Sequence, residues 1–127
     1  MAGVTNLMQT LLAKLLVGDG SAVPLSAANA FIGVGDGTTS FVATQTDLLG
    51  VNKLRKGMDS GFPQRTGNVL TFRATYDTDE ANFTWAEWGL FNDVSTAALM
   101  CRKVEALGTK TSAQRWELTI DLTLSVV

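Results

Sequence analysis

Apolar positions change their period once along the chain, and the change separates a helical beginning from a β-rich remainder. Leu7, Met8, Leu11, Leu12, Leu15 and Leu16 recur as adjacent pairs every four residues, which gathers them on one stripe of a helix predicted from about Thr5 to Val17. Thr5 or Asn6 caps its start, and Gly18-Asp19-Gly20-Ser21 supplies the stop and a turn. From Ala30 onward the period falls to two. Phe31 to Val34 reads as a short buried strand ended by Gly35-Asp36-Gly37. Ser40 is placed to cap a brief helix through Thr44 to Leu49 with Gly50 as its stop, and Lys53 to Met58 alternates in a strand-compatible way. Gly61, Pro63 and Gly67 break that pattern, so Gly57 to Gly67 reads as a long flexible loop.

The second half carries the clearer signals. Leu70, Phe72, Ala74 and Tyr76 alternate with Thr71, Arg73 and Thr75, the pattern of a half-buried strand. Asp77 to Glu80 turns the chain, Trp85 to Phe91 forms a strand, Asn92-Asp93 turns again, and Ala98 to Glu105 forms another. Trp116, Leu118, Ile120, Leu122, Leu124 and Val126 point one way while Arg115, Glu117, Thr119, Asp121, Thr123 and Ser125 point the other, which no helix accommodates. Short strands spaced roughly ten residues apart with turns between them predict a mainly β fold. The expectation is an antiparallel, jelly-roll-like β-sandwich with a short N-terminal helix. It is read as a single domain, with residues 1–20 forming the helix and turn and 30–127 the body.

Composition narrows the function. The 127 residues fit one domain. Ten Lys plus Arg against twelve Asp plus Glu give a net charge of −2, and charged residues make up 17% of the chain, against about 25% in ordinary soluble domains. Nucleic acid is not an expected partner, because phosphate binding needs clustered cations. A lightly charged, Thr-rich surface suits contact with other proteins. There is no histidine and Cys101 is the single cysteine. An internal disulfide, a Cys/His zinc site and a His-based triad are therefore excluded. The N-terminus lacks a positive leader region, Lys14 interrupts the leucine-rich stretch, and no apolar run approaches the roughly 20 residues that span a bilayer. No membrane is expected as a partner, and synthesis in the cytoplasm is.

Candidate chemistry is sparse, and no catalytic residue, metal site or cofactor is expected. Gly33 to Gly37 and Gly18 to Gly20 lack the continuation of a phosphate loop and read as turns. Asp77, Asp79 and Glu80 suit a solvated hairpin tip better than calcium, which needs oxygens from several segments. Glu87 lies between Trp85 and Trp88 in a strand that reads as buried, and a buried carboxylate must be paired. Arg102, Lys103 or Arg73 is the candidate cation for a structural ion pair. The rival reading is a sugar site, with Trp85 and Trp88 stacking on a pyranose and Glu87 accepting from its hydroxyls. Lys53-Leu54-Arg55-Lys56 is the only basic cluster, either a solvated strand face or a charged contact with an acidic neighbour. For an interface the candidates are Leu11, Leu12, Leu15 and Leu16 on the helix, Lys53 and Arg55 on the strand, and Phe62 in the loop. Cys101 reads as a small buried hydrophobe.

Three stretches resemble a group of small tailed-bacteriophage virion proteins of tail-fibre-like or collar-like type. They are Phe31-Ile32-Gly33-Val34-Gly35-Asp36-Gly37-Thr38-Thr39-Ser40-Phe41 with Gln45-Thr46-Asp47-Leu48; Asn82 to Asn92 around Trp85-Ala86-Glu87-Trp88-Gly89-Leu90-Phe91; and Arg102 to Glu105 continuing through Leu107-Gly108-Thr109-Lys110-Thr111 to Leu124. The resemblance covers most of residues 30 to 125. It implies a non-enzymatic protein that acts through assembly. The expected function is a structural component of a tailed-phage virion that forms homo-oligomers and docks on other virion proteins, at the tail or a tail-fibre attachment. Two alternatives stand beside it: a head decoration (cement) protein stabilising the shell, and a carbohydrate-binding module for a host-surface glycan.

Overall fold

The structure, a computed structural model, describes residues 2–125. The end of the last alternation, at Val126, lies outside them. The elements run β1 (Gly3–Val4), α1 (Asn6–Leu16), β2 (Phe31–Gly35), β3 (Lys53–Gly57), β4 (Gln64–Thr66), β5 (Val69–Tyr76), β6 (Thr84–Phe91), β7 (Leu99–Thr109) and β8 (Trp116–Thr123). The strands form two antiparallel sheets packed together, one of five strands in the order β1-β7-β6-β2-β3 and one of three in the order β4-β5-β8. The fold is thus mainly β, a two-layer sandwich with one short N-terminal helix.

Alternation decides what fills the space between the layers. Ile32 lies opposite Leu90, and Val34 opposite Trp88, on the inner face of the larger sheet. Phe72 opposite Ile120 and Tyr76 opposite Trp116 answer from the smaller one. All these side chains belong to one apolar cluster, and each large side chain removed from water contributes about 1.5–3 kcal/mol. Tyr76 is fully buried, and its hydroxyl donates across the layers to the Ile32 carbonyl at 2.7 Å. Its own polar atom is thereby satisfied inside the core.

The helix begins where Thr5 stops it from beginning earlier. The Thr5 side chain accepts from the Met8 N–H at 3.2 Å, the N-cap arrangement. The same hydroxyl donates to the Leu99 carbonyl at 2.6 Å, which ties the cap to β7. Gly18, at φ 70°, follows the C-cap Val17. Met8 and Leu11 are the buried residues of α1.

Two expected elements are corrected. Residues 40–49 form turns and bends, not a helix: the Gln45 N–H bonds the Val42 carbonyl, the Leu48 N–H bonds the Asp47 side chain, and the Leu49 N–H is taken by a side chain from β6, as described below. Residues 57–67 are not simply a loop. Gln64–Thr66 forms β4 and pairs with β5, Thr66 opposite Val69, around a two-residue turn in which Gly67 has φ 59°. That left-handed conformation is open to glycine at no steric cost.

Candidate functional site

β6 is buried along nearly its whole length, because both faces of this strand are covered. The inner face meets the other sheet, and the outer face lies under the segment from Asp36 to Gly50. Glu87 and Gly89 fall on that outer face together, since alternate residues of a strand share a side.

Glu87 is wholly buried, and its carboxylate is saturated. Oε1 accepts from Arg102 Nε at 2.8 Å and from the Leu49 N–H at 3.0 Å. Oε2 accepts from the Gly50 N–H at 2.7 Å and from the Gly37 N–H at 3.0 Å. Arg102 is equally buried, and its Nη1 donates to Gln45 Oε1 at 3.2 Å. One side chain from β6 therefore pins both ends of the irregular segment 37–50, taking the backbone N–H groups of Gly37, Leu49 and Gly50 that no helix or ladder satisfies. The glycines follow from the same contact. A Cβ on Gly35 or Gly37 would stand 2.5 Å from Glu87 Oε2, so only glycine lets the backbone approach the carboxylate.

Of the three cations expected as partners for Glu87, Arg102 holds the position. Register decides it, because Arg102 lies opposite Gly89 and Lys103 opposite Trp88, which turns Lys103 to the other face. Lys103 pairs with Glu105 at 3.2 Å. Arg73 lies in the smaller sheet and binds Asp59 at 3.0 Å. Gln45, Gly35, Gly37 and Gly50 were not expected in this centre. The run of closely spaced glycines was the only sequence signal for them.

The sugar-stacking expectation is corrected. Trp85 is 2% exposed and packs edge-on against both Tyr76 and Trp116 at 4.9 Å between ring centroids. Its Nε1 donates to the Ala81 carbonyl at 2.9 Å. Trp88 is buried too, with Nε1 donating to Glu105 Oε2 at 3.2 Å. Neither ring offers an open face to a pyranose.

The basic cluster is largely engaged within the molecule, so it is neither a free solvated face nor a set of unpaired cations. Lys53 Nζ binds Asp47 at 2.9 Å. Arg55 lies 3.7 Å above the Phe91 ring, donates to the Asp93 carbonyl at 3.0 Å and reaches Asp47 at 3.1 Å. Phe62 is half-buried under Arg73, 4.3 Å from its guanidinium. Burial pushes the Asp47 carboxyl up, but the hydrogen bonds from Lys53, the Leu48 N–H and Arg55 outweigh it and hold it below the ordinary range. Lys56 holds Glu80 at 2.6 Å, and this bond, with the Asp77 N–H, lowers the Glu80 carboxyl. Burial pushes the Cys101 thiol up to about 12, so it carries no reactive thiolate at neutral pH.

The leucine stripe divides. Leu11 is buried and is removed from the interface candidates, because the core of its own chain takes it. Leu12 and Leu15 are exposed at 36% and 43%, and Leu16 and Val17 at 86% and 81%. Beside them opens an apolar groove of about 230 Å³ between α1 and the smaller sheet, with Leu12 and Leu15 on one wall and Leu70, Leu122 and Leu124 on the other.

No family model, curated protein or solved structure matches the chain.

Proposed function

We propose that the protein is a structural component of a tailed-bacteriophage virion that works by self-association and by docking on other virion proteins, at the tail or a tail-fibre attachment. The observation that supports docking is the outer stripe of α1. Leu12, Leu15, Leu16 and Val17 stay exposed on an ordered helix beside an apolar groove, and such a patch is retained where another protein covers it. The resemblance of the glycine-rich, Trp-Glu-Trp and Arg102-to-Leu124 stretches to phage virion proteins supports the placement. The body behind the helix is braced by the buried Glu87–Arg102 pair, which suits a packing unit.

Quantitative mass spectrometry of purified particles tests this reading. A small number of copies relative to the major capsid protein is expected. A near-stoichiometric ratio would transfer the protein to head decoration. Absence from particles would remove the virion reading altogether.

A further inference from the structure

A sheet edge is where a β protein lies open to another chain, because its outward backbone groups have no ladder to join. β8 is such an edge, bonded only to β5. The pairing continues past the strand, with the Leu124 N–H donating to the Asn68 carbonyl at 2.9 Å, while on the far side of β5 the Asp59 N–H donates to the Arg73 carbonyl at 2.8 Å. Antiparallel alternation then aims the backbone groups of Leu118, Ile120 and Leu122 at β5, and those of Glu117, Thr119, Asp121 and Thr123 at the open edge. Those positions carry no proline, glycine or lysine, and the β5–β8 register runs unbroken. The devices that blunt an edge by shape are missing.

The charges along β8 are unevenly answered. Glu117 has Arg73 at 3.7 Å. Asp121 has the Thr71 hydroxyl at 2.7 Å and no ion pair among the described residues. Arg115, just before β8, meets Asp77 only at 3.9 Å, and its side chain is 66% exposed. Arg115 and Asp121 are opposite in sign and stand three residues before and three residues after Leu118.

We propose that β8 pairs antiparallel with β8 of a second copy about a two-fold axis at Leu118, joining the two smaller sheets into one. Arg115 of each copy then lies opposite Asp121 of the other, and Glu117 lies opposite Thr119. Moving the axis to Thr119 sets Glu117 against Asp121, a like-charge pair that destabilises. Moving it to Ile120 leaves Arg115 facing Ser125. An axis at Glu117 sets that residue against its own copy, so of the registers centred from Glu117 to Ile120 only the one at Leu118 faces opposite charges with no like-charge pair. This inference rests on the self-association proposed above and narrows it to one edge.

Sedimentation velocity from micromolar to millimolar protein tests it. The unaltered chain is expected to form a dimer. Thr119→Pro removes an N–H that the monomer's ladder does not use, so it should give a monomer with an unchanged circular dichroism spectrum. Arg115→Glu and Asp121→Arg, each alone, turn two attractive contacts into repulsive ones and should weaken the dimer roughly tenfold. Mixing the two single variants restores opposite charges at both contacts and should recover it. If Thr119→Pro fails to fold, the charge variants decide the matter, because both residues are exposed. An oligomer that survives every variant would overturn the β8 edge and leave self-association through another surface. A chain that stays monomeric at all concentrations would remove both.

Discussion

Glu87 stands in for a secondary structure that residues 37–50 never form. Its two oxygens take the N–H groups of Gly37, Leu49 and Gly50 together with Arg102 Nε. Glu87→Gln keeps the shape but loses the charge and turns an amide donor toward groups that only donate. Breaking a buried ion pair from one side costs about 3–5 kcal/mol, and urea unfolding at neutral pH should show a loss of that size. A loss below about 1 kcal/mol would mean that the carboxylate is dispensable. That Glu87 needs a cation was legible, since an acid between two tryptophans in an apolar strand has no water to rely on. Which cation was not. Arg102 and Lys103 are adjacent in sequence and differ only in the face that the register of β7 assigns them.

α1 is one element with two burdens. Met8 and Leu11 enter the core, whereas Leu12, Leu15 and Leu16 do not. Leu11→Ala should cost about 2–5 kcal/mol, as buried leucine truncations do. Leu16→Ser should stay within about 0.5 kcal/mol, as exposed substitutions do. Thermal unfolding of the two variants separates these roles, and a large loss from Leu16→Ser would contradict the exposed stripe. The helix was legible because its capping and periodicity are local. β5 and β8 were legible for a similar reason: each buries one face, so each shows strict alternation. The stretch from Ser40 to Leu49 was misleading. Its composition suits a short capped helix, but the acceptor that claims the N–H of its last residue, Leu49, lies 38 residues away, and the same carboxylate takes the flanking Gly37 and Gly50.

At the scale of the whole molecule, ion pairs join segments that are distant along the chain. Asp47 ties the irregular segment to β3 through Lys53 and Arg55, and Glu80 ties the β5–β6 turn to β3 through Lys56. Both carboxyls are held below their ordinary range in the folded chain. The unfolded chain therefore takes up protons first as pH falls. The stability these groups contribute is complete above the unfolded carboxyl range of about 4, and it is lost as pH descends through the lowered folded values. Urea midpoints should hold steady from neutral pH to near that range and drop below it. Lys56→Met, which removes the main cause of the Glu80 shift, should make the drop shallower, and an unchanged acid profile would count against this pair. The pairs are partly exposed, so each contributes little alone.

By itself the sequence determined the periods: one helical stripe, then strands at period two, with glycine and aspartate turns between them, and hence a mainly β sandwich with a terminal helix. These are local properties, written in the spacing of neighbouring residues. Only the tertiary structure decided what is non-local. It buried both tryptophans that might have met a sugar, chose Arg102 over Lys103, engaged Lys53 and Arg55 within the chain, and set five strands against three with β8 at an edge. Each of these depends on which strand lies beside which and in what register. That is settled by contacts between residues far apart in the chain, and no pattern among neighbours encodes them.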